Sequence, residues 1–447
     1  MRNLSADAGQ EYFADGITDE LTTDLARIRN LRVLSHTTAM HYKGTTETLP
    51  QIAHRLRVDA VIEGSVSRSQ SRIRVRVQLV RGATDEHIWA NSYERDLGDT
   101  TVLEAEIARD IADQIQIRLS PQERIELSSR ASVNPDAYEA YLKGRYFFDQ
   151  RSLQSNRKSI DEFRLALSLD PGFAAAQAGL ADALVSESYL GEALPADIMP
   201  EAKRLIASAT ATDPNLPDVH VSSGWIKLTY DWDWPGAERE IKRALELNPN
   251  SARAHQLYGN YYLARGRTSE GISELQRAHE LDPLSLFINR DLGRAYYYAR
   301  RYEAALDQLR QTIELDPTMG GVNEWISWCY EKRGARDKAI QAYLNAERAD
   351  GANQTEVDAQ EQFYKHAGWN AFWRQELKKA WYTKRGPDGY VRALALVRLG
   401  EKEAALKTLR QQIELHSVWV TWMDVDPELD ALRSDARFQA LVQTAER

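Results

Sequence analysis

Three histidines, His36, His41 and His54, are the nearest approach to a metal-binding cluster in this chain. Their spacings of five and thirteen residues fit no helical metal pair, and no cysteine accompanies them, so they read as surface or loop histidines. Asp231-Trp232-Asp233-Trp234 alternates carboxylates with indoles as a ligand loop would. It stands just ahead of Pro235-Gly236, where two helices must turn, and reads as an aromatic-plugged turn. Glu63-Gly64-Ser65 lacks the Gly-x-Ser-x-Gly of a nucleophile elbow, and Gly44-Thr45-Thr46 lacks the rest of a phosphate loop. Glu104 and Glu106 read as solvated helix carboxylates, and Cys329, between Trp328 and Tyr330, as a small buried hydrophobe. Arg72, Arg74 and Arg76 alternate along one strand face and read as an exposed or inter-domain sheet face rather than an anion site. No catalytic constellation emerges, so the expectation is a non-enzyme with no cofactor and no metal.

The whole chain supports the same exclusions. It has 447 residues, enough for about three domains or a repeat array with an appended domain. One cysteine rules out a disulfide framework, a Cys-rich zinc module and an iron–sulfur cluster. The net charge is −9, and it is spread evenly: residues 1–130 hold 17 basic and 20 acidic side chains, the remainder 40 and 46. Nucleic-acid binding needs concentrated cationic surface, so nucleic acid is not expected as a partner of this chain itself. No apolar run is long enough for a transmembrane segment, and the first residues lack the sections of a signal peptide. The expected location is therefore cytoplasmic, or the periplasmic face of a membrane-anchored parent if the chain is truncated. Sixteen Arg and a single Lys, Lys43, fall in the first 130 residues, and aromatics become dense after residue 137, which sets a boundary near Ser132-Val133-Asn134-Pro135.

Beyond that boundary the sequence repeats. Asp/Asn-Pro follows a helical run at Asp170-Pro171, Asp213-Pro214, Asn248-Pro249, Asp282-Pro283 and Asp316-Pro317, with prolines 43, 35, 34 and 34 residues apart. Each period holds two helical patterns, as in Ala252–Arg265 and Ser269–Leu281 around Gly266. The reading places turns at Gly266, Arg300 and Gly334, close helix–helix approach at Gly259 and Gly293, and no sheet within 252–350. About seven hairpins are expected, lengthened at Gln150–Asn156 and around Pro195 and Pro200, degenerate over 353–385, and resuming at Tyr390–Leu399 and Glu401–Leu415. The stretch from Asp426-Pro427-Glu428 to Phe438 is expected to close the array as a cap.

The first 130 residues read as mixed α/β. Expected are a helix over Glu11–Ile28, a strand over Leu31–Ser35, a short helix over Leu49–Leu56, and a hairpin of Asp59–Arg68 and Arg72–Val80 around Ser69-Gln70-Ser71. A strand at His87–Tyr93 and a helix over Thr100–Leu119 follow.

The period and residue types resemble the tetratricopeptide repeat. Its small eighth position matches Gly259 and Gly293, its aromatic eleventh Tyr262, Tyr296 and Tyr330, its small twentieth Gly271, Ala305 and Ala339, and its closing proline Pro249, Pro283 and Pro317. The N-terminal part resembles the TolB amino-terminal, or FlgO-like, domain on Asn3-Leu4-Ser5, Glu11-Tyr12-Phe13-Ala14-Asp15-Gly16, Asp59-Ala60-Val61-Ile62-Glu63-Gly64-Ser65-Val66 and His87-Ile88-Trp89-Ala90. Such domains commonly follow a winged-helix regulator, a Ser/Thr kinase or a nucleotide cyclase, and none of those is present in this sequence. The family pattern also opens with an apolar strand just before Asn3, which this chain lacks. That resemblance implies either a truncated start or a sheet without one edge strand. The fold class is α+β: a small mixed α/β domain over 1–130, then an all-α tetratricopeptide-repeat solenoid over 131–447.

The tetratricopeptide resemblance also implies a peptide-binding groove lined by the first helices. Carried over position by position, its lining is Arg253, Gln256, Asn260 and Leu263, then Phe287, Arg290, Arg294, Tyr297 and Tyr298, then Glu324 and Trp328, with Glu331 and Lys332 beyond. Asn260, Arg290 and Arg294 partly match a carboxylate clamp, with Gln256 where a basic residue belongs. The expected function is a non-catalytic scaffold in bacterial signalling that binds a protein or peptide partner, acidic and with an apolar side chain. The alternative is the sensor half of a split or truncated transcription regulator, kinase or adenylate cyclase, associated with a separate effector domain.

Overall fold

The computed structural model describes residues 1–5, 10–69, 71–117, 119–120, 123, 133–150, 152–189, 193–379 and 389–445. The chain divides into two compact units, one of residues 1–184, 204–220 and 243–251, the other of 185–203, 221–242 and 252–447.

The first unit begins with β1 (Arg2–Asn3), α1 (Glu11–Ala26), α2 (His36–His41) and α3 (Leu49–Leu56). Strands β2 (Ala60–Ser69), β3 (Arg72–Arg81) and β4 (Glu86–Asp96) and helix α4 (Thr100–Gln114) complete the mixed domain. The sheet order is β1-β2-β3-β4; β1 runs parallel to β2 through Arg2↔Ser65 and Asn3↔Val66, and the other pairs are antiparallel. Period-two alternation buries Ile73, Val75, Val77 and Leu79, each no more than 2% exposed, and the first three share a core with Phe13, Ile17 and Leu21 of α1 and Leu103, Ile107 and Ile111 of α4. A register shift between Leu79 and Val80 buries Val80 as well. The opposite face carries Arg72 and Arg74, half-exposed beside Glu94 at 3.4 and 2.7 Å.

Two expectations are corrected here. Leu31–Ser35 is not a strand, because its polar backbone groups are used elsewhere. Leu31 N–H donates to Ile28 O at 3.0 Å, and Leu31 O accepts from Asn250 Nδ2 at 2.8 Å. Ser35 then caps a helix absent from the sequence reading, α2, by accepting from Thr38 N at 3.2 Å. The helix that opens at Thr100 ends at Gln114 rather than Leu119. Ser132 of the expected boundary, Gln70 of the expected hairpin turn, Arg151 of the expected insertion and residues 380–385 lie outside the described residues.

Pro135 opens the first solenoid helix, Pro135–Asp149, which Asn134 caps through Asp136 N and Ala137 N. This helix lies against α1: Tyr12 and Arg68 both donate to Glu139, at 2.8 and 2.6 Å, and Tyr141 donates to Glu20 at 2.8 Å. Burial pushes the Glu139 carboxyl up, but Arg68, Tyr12 and Lys143 outweigh it and hold the group at about 2.

Helical pairs follow at Pro135–Asp149 with Leu153–Leu169, Ala174–Tyr189 with Pro195–Thr212, and Pro217–Ile226 with Trp234–Leu247. Next come Ala252–Ala264 with Thr268–Leu281, Leu286–Tyr298 with Tyr302–Leu315, and Gly320–Lys332 with Arg336–Ala349. Gln354–Glu376 is broken at Gly368 (φ 80°), and a last pair is Gly389–Arg398 with Lys402–Glu414. No strand occurs among the described residues after β4.

The Asp/Asn-Pro motif has a local cause. Asp170, Asp213, Asn248 and Asp316 each accept the N–H two residues on, at 3.1, 3.0, 3.0 and 2.8 Å, closing the turn while proline stops the helix. The turns at Gly266, Arg300 and Gly334 all have positive φ (71°, 59° and 73°). A Cβ on Gly259 would lie 2.6 Å from Leu275 Cγ, and one on Gly293 2.7 Å from Leu309 Cγ, so both glycines mark close approach within a hairpin. The 34-residue period extends to side chains: Gln276 donates to Tyr296 and Arg310 to Tyr330, at 3.2 and 2.8 Å.

Candidate functional site

The eleven residues expected to line the groove all lie in the second unit, and they divide by position along the first helices. Arg253, Gln256, Phe287, Arg290 and Glu324, near the helix N-termini, are half-buried. Asn260, Leu263, Arg294, Tyr297, Tyr298 and Trp328, nearer the C-termini, are buried. These six are not exposed on an open groove. Leu263 turns toward the second helix of its own hairpin, where its Cγ would stand 2.9 Å from a Cβ on Gly271. Asn260, Arg294 and Tyr297 lie against the chain's own residues 417–432, two 3₁₀ turns at Val418–Trp422 and Pro427–Leu432.

Asn260, Arg290 and Arg294 do converge, and what they hold is Asp291. Arg290 donates to Asp291 Oδ1 from Nε and Nη2 at 3.2 and 2.9 Å, and Arg294 Nη2 is 3.5 Å from the same oxygen. Asn260 Nδ2 and Gln256 Nε2 donate to Asp291 Oδ2 at 3.1 and 2.8 Å, and Arg294 Nη2 donates to Asn260 Oδ1 at 2.6 Å. Burial raises the Asp291 carboxyl, but Arg294, Arg290 and the two amides outweigh it and hold the group at about 2. The clamp thus closes on an internal carboxylate. The position of Asp291, three residues before Arg294 and next to Arg290, is the signal that could have shown this in advance.

Above this cluster sits Trp422, fully buried, with its Nε1–H donating to Asn260 O at 3.0 Å. The Arg294 guanidinium lies 4.7 Å from the Trp422 ring centroid, and Trp225 flanks the same ring at 6.3 Å. Six residues on, Glu428 enters a second cluster. Tyr297 donates to its Oε1 at 2.8 Å, Lys332 Nζ lies 3.2 Å from Oε1, and Arg398 Nη2 donates to Oε2 at 3.1 Å. Burial opposes ionisation of Glu428, yet Arg398 and Lys332 prevail and its pKa is lowered. Lys332 also donates to Pro427 O at 2.9 Å. Asp426 accepts from Glu428 N and from Tyr390 Oη, at 2.9 and 2.8 Å, and burial next to Glu428 pushes it up to about 6. Trp325 and Trp328 pack edge-on at 4.4 Å, with Tyr297 5.5 and 6.4 Å from them.

The sequence reading thus omitted Asp291, Trp422, Asp426, Glu428, Tyr390 and Arg398. The pairing of an acidic, Trp-containing run at 419–428 with the arginines, lysine and tyrosines of the first helices is the signal that was available.

Other candidates have plain surroundings. The Asp231–Trp234 run is a turn, with Trp232 at φ 52° stacked on His416 at 4.6 Å. Cys329 is buried, and its thiol is pushed up to about 12 by that burial. Asp19, His36 and Asp149 bring ligand atoms within 4.8 Å of one another, the single such group among the described residues. Arg145 donates to Asp19 at 2.9 Å, so a guanidinium already supplies positive charge there. His41 and His54 are not part of it. No helix among the described residues is long and apolar enough to cross a membrane.

Comparison with known proteins bears on the array. The tetratricopeptide-repeat family model matches residues 233–285 and 290–353. A protein of Rhizobium meliloti (strain 1021) that carries the name putative adenylate cyclase 3 is 33% identical over 232 residues, 52% of this chain and 39% of that protein. The chain therefore spans about two fifths of the length of that relative. Among solved structures, PilF of Pseudomonas aeruginosa is similar at 16% identity and a TM-score of 0.36, covering 51% of this chain and 97% of that one. The type IV pilus biogenesis factor PilW is similar at 15% and 0.40, covering 51% and 99%. A tetratricopeptide-repeat protein of Thermus thermophilus is similar at 18% and 0.34, covering 46% and 99%. The repeat-family match falls on the hairpins whose 34-residue period, closing prolines and glycine contacts are described above, and the chain is a mainly helical tetratricopeptide-repeat solenoid with a small N-terminal mixed sheet.

Proposed function

We propose that this protein is a non-catalytic interaction scaffold in bacterial signalling whose first-helix face takes a peptide or protein partner. A solenoid buries its core between neighbouring repeats and leaves one helix face available for binding. One observation carries the reading: that face already engages a peptide segment outside the repeat hairpins, Trp422 to Glu428, through an indole, a carboxylate and a backbone carbonyl. The N-terminal ends of the same helices, with Arg253, Phe287 and Glu324, stay partly accessible beside it. The test is photo-crosslinking in the native bacterium, with the crosslinker at Phe287 or Glu324 in the full chain and at Arg74 of the sheet as control. A defined protein captured from the helix positions and not from Arg74 supports the scaffold. Identical products from all three positions, or none, refute it.

A second reading is favoured by the relative that carries the name putative adenylate cyclase 3. In it the chain is the sensor half of a cyclase, kinase or transcription regulator, and residues 1–130 form a TolB/FlgO-like module beside a cytoplasmic effector. Genomic sequence upstream of Met1 decides it: an effector reading frame in the same or adjoining gene supports the second reading, and an unrelated gene discards it.

A further inference from the structure

We infer that residues 417–432 occupy the first-helix face as a displaceable stand-in for the partner, and that the partner is a protein segment of the same chemistry. That segment has a tryptophan about six residues ahead of a glutamate, with an acidic residue two positions before the glutamate. The inference rests on the scaffold reading above and gives its site an occupant.

Three observations support it. First, the closest helix–helix contacts within two of the hairpins do not involve this segment. Gly259 meets Leu275 and Gly293 meets Leu309 inside their respective pairs, and both leucines are fully buried. Second, the polar contacts of the segment reach several repeats at once: Asn260, Tyr297, Lys332, Tyr390 and Arg398 come from four different helices. Binding of a peptide laid across a repeat face has this form; the neighbour-to-neighbour packing of a solenoid does not. Third, the charges are complementary in a transferable way. Removing Glu428 leaves Lys332 Nζ and Tyr297 Oη facing the site, with Arg398 beside them and still paired to Glu331 at 2.6 Å, so another carboxylate can be taken there by charge-assisted hydrogen bonds. The Arg294–Trp422 stack offers the matching place for an indole.

The segment is held at both ends, by helix Lys402–Glu414 before it and helix Ala436–Ala445 after it. Arg437 of the second helix pairs with Glu403 of the first at 2.7 and 2.8 Å, so displacement releases a loop and leaves both helices in place. A short tether gives its own segment an effective concentration on the order of millimolar. A partner must outcompete that, and its apparent affinity falls accordingly.

The probe is a fluorescent synthetic peptide of residues 417–432, titrated by polarisation into the full chain. Wild type is compared with the variant Trp422→Ala/Glu428→Gln, whose own segment is loosened. The expected result is at least tenfold tighter peptide binding by the variant. Adding Lys332→Ala, or using a peptide with Glu428→Lys, is expected to abolish it. Hydrogen exchange on wild type supplies the second measurement: amides of 417–432 open while those of Leu286–Tyr298 stay protected. The inference is overturned if the variant loses its helical circular dichroism, if the segment exchanges only together with Leu286–Tyr298, or if neither protein binds the peptide. A doubled mass for the loosened variant assigns the occupant to a second copy of the chain and also overturns the partner. The two readings fail separately. Crosslinks from Phe287 without peptide exchange leave the scaffold and discard displacement, and peptide exchange without cellular crosslinks does the reverse.

Discussion

Replacing Arg294 with methionine tests the electrostatics of the first-helix face directly. The sequence reading placed Arg290 and Arg294 in the lining of a groove. Arg294 is instead 1% exposed and bonded to Asn260, with Asp291 beside it at 2% exposure. Asp291 is held at about 2, below an unfolded aspartate, a difference of roughly 2–3 kcal/mol in favour of folding at pH 7. Breaking a buried pair by removing one partner costs about 3–5 kcal/mol. Arg290 remains on Asp291, so the lower end applies, about 3 kcal/mol by the same reasoning. For a unit of this size that is roughly 6–12 °C of melting temperature. The sign with pH is definite. The folded pKa of Asp291 is depressed, so its contribution is complete above the unfolded value near 4 and is lost as pH falls toward 2. Arg294→Met strands a carboxylate at pH 7 and a nearly neutral acid at pH 3, so the gap between wild type and variant narrows on acidification. Arg294→Met/Asp291→Asn removes both charges and is expected to recover at least half of the loss. Urea unfolding of the three proteins at pH 7 and pH 3 reads all of this. A single variant that unfolds like wild type at pH 7, or a double variant no better than the single, refutes the account.

Gly293→Leu drives a side chain into Leu309, where even a Cβ would stand 2.6 Å from Cδ2; the expected cost is about 1–3 kcal/mol or more, and an unchanged melting curve contradicts it. Asp426 behaves oppositely to Asp291. Its folded pKa of about 6 exceeds the unfolded value, so stability falls as pH rises from 4 to 6, by about 3 kcal/mol, with Glu428, Lys332 and Tyr390 facing the group. Asp426→Asn is expected to remove that slope, making the variant the more stable protein at pH 7.5 but not at pH 4; equal urea midpoints for variant and wild type at pH 7.5 count against it. Asn250→Ala strips donors from the carbonyls of Ala26, Ile28 and Leu31, at 3.1, 3.4 and 2.8 Å, and is expected to cost about 1–3 kcal/mol. It should also speed amide exchange around residues 26–31; unchanged exchange there places the support elsewhere.

The repeat was legible because each of its devices is local. An Asp/Asn side chain closes on the N–H two residues on, proline stops the helix, and glycine admits a leucine from its own hairpin. The strand alternation of Ile73 to Leu79 was legible for the same reason. Leu31–Ser35 failed because its carbonyl partner, Asn250, lies far along the chain, beyond the reach of any window. The face of the array was half legible. Position within the repeat brought Asn260, Arg290 and Arg294 together, but nothing periodic in 417–432 announces two 3₁₀ turns that lie across it. The reading placed Asp426 and Glu428 in a closing cap and did not connect them with the first helices of the array.

The contact between Tyr297 and Glu428 spans 131 residues of chain, and that separation has a consequence in time. A ribosome adding roughly 5–20 residues per second makes the repeat helices first and the segment that covers them about 7–26 s later. Helix pairs built from local contacts form in microseconds to milliseconds. Every newly made molecule therefore passes through an interval in which Tyr297, Lys332 and the Arg294 cluster stand without that segment over them. A molecule that meets a binding segment during synthesis meets it without competition, and one that meets it afterwards must first open its own.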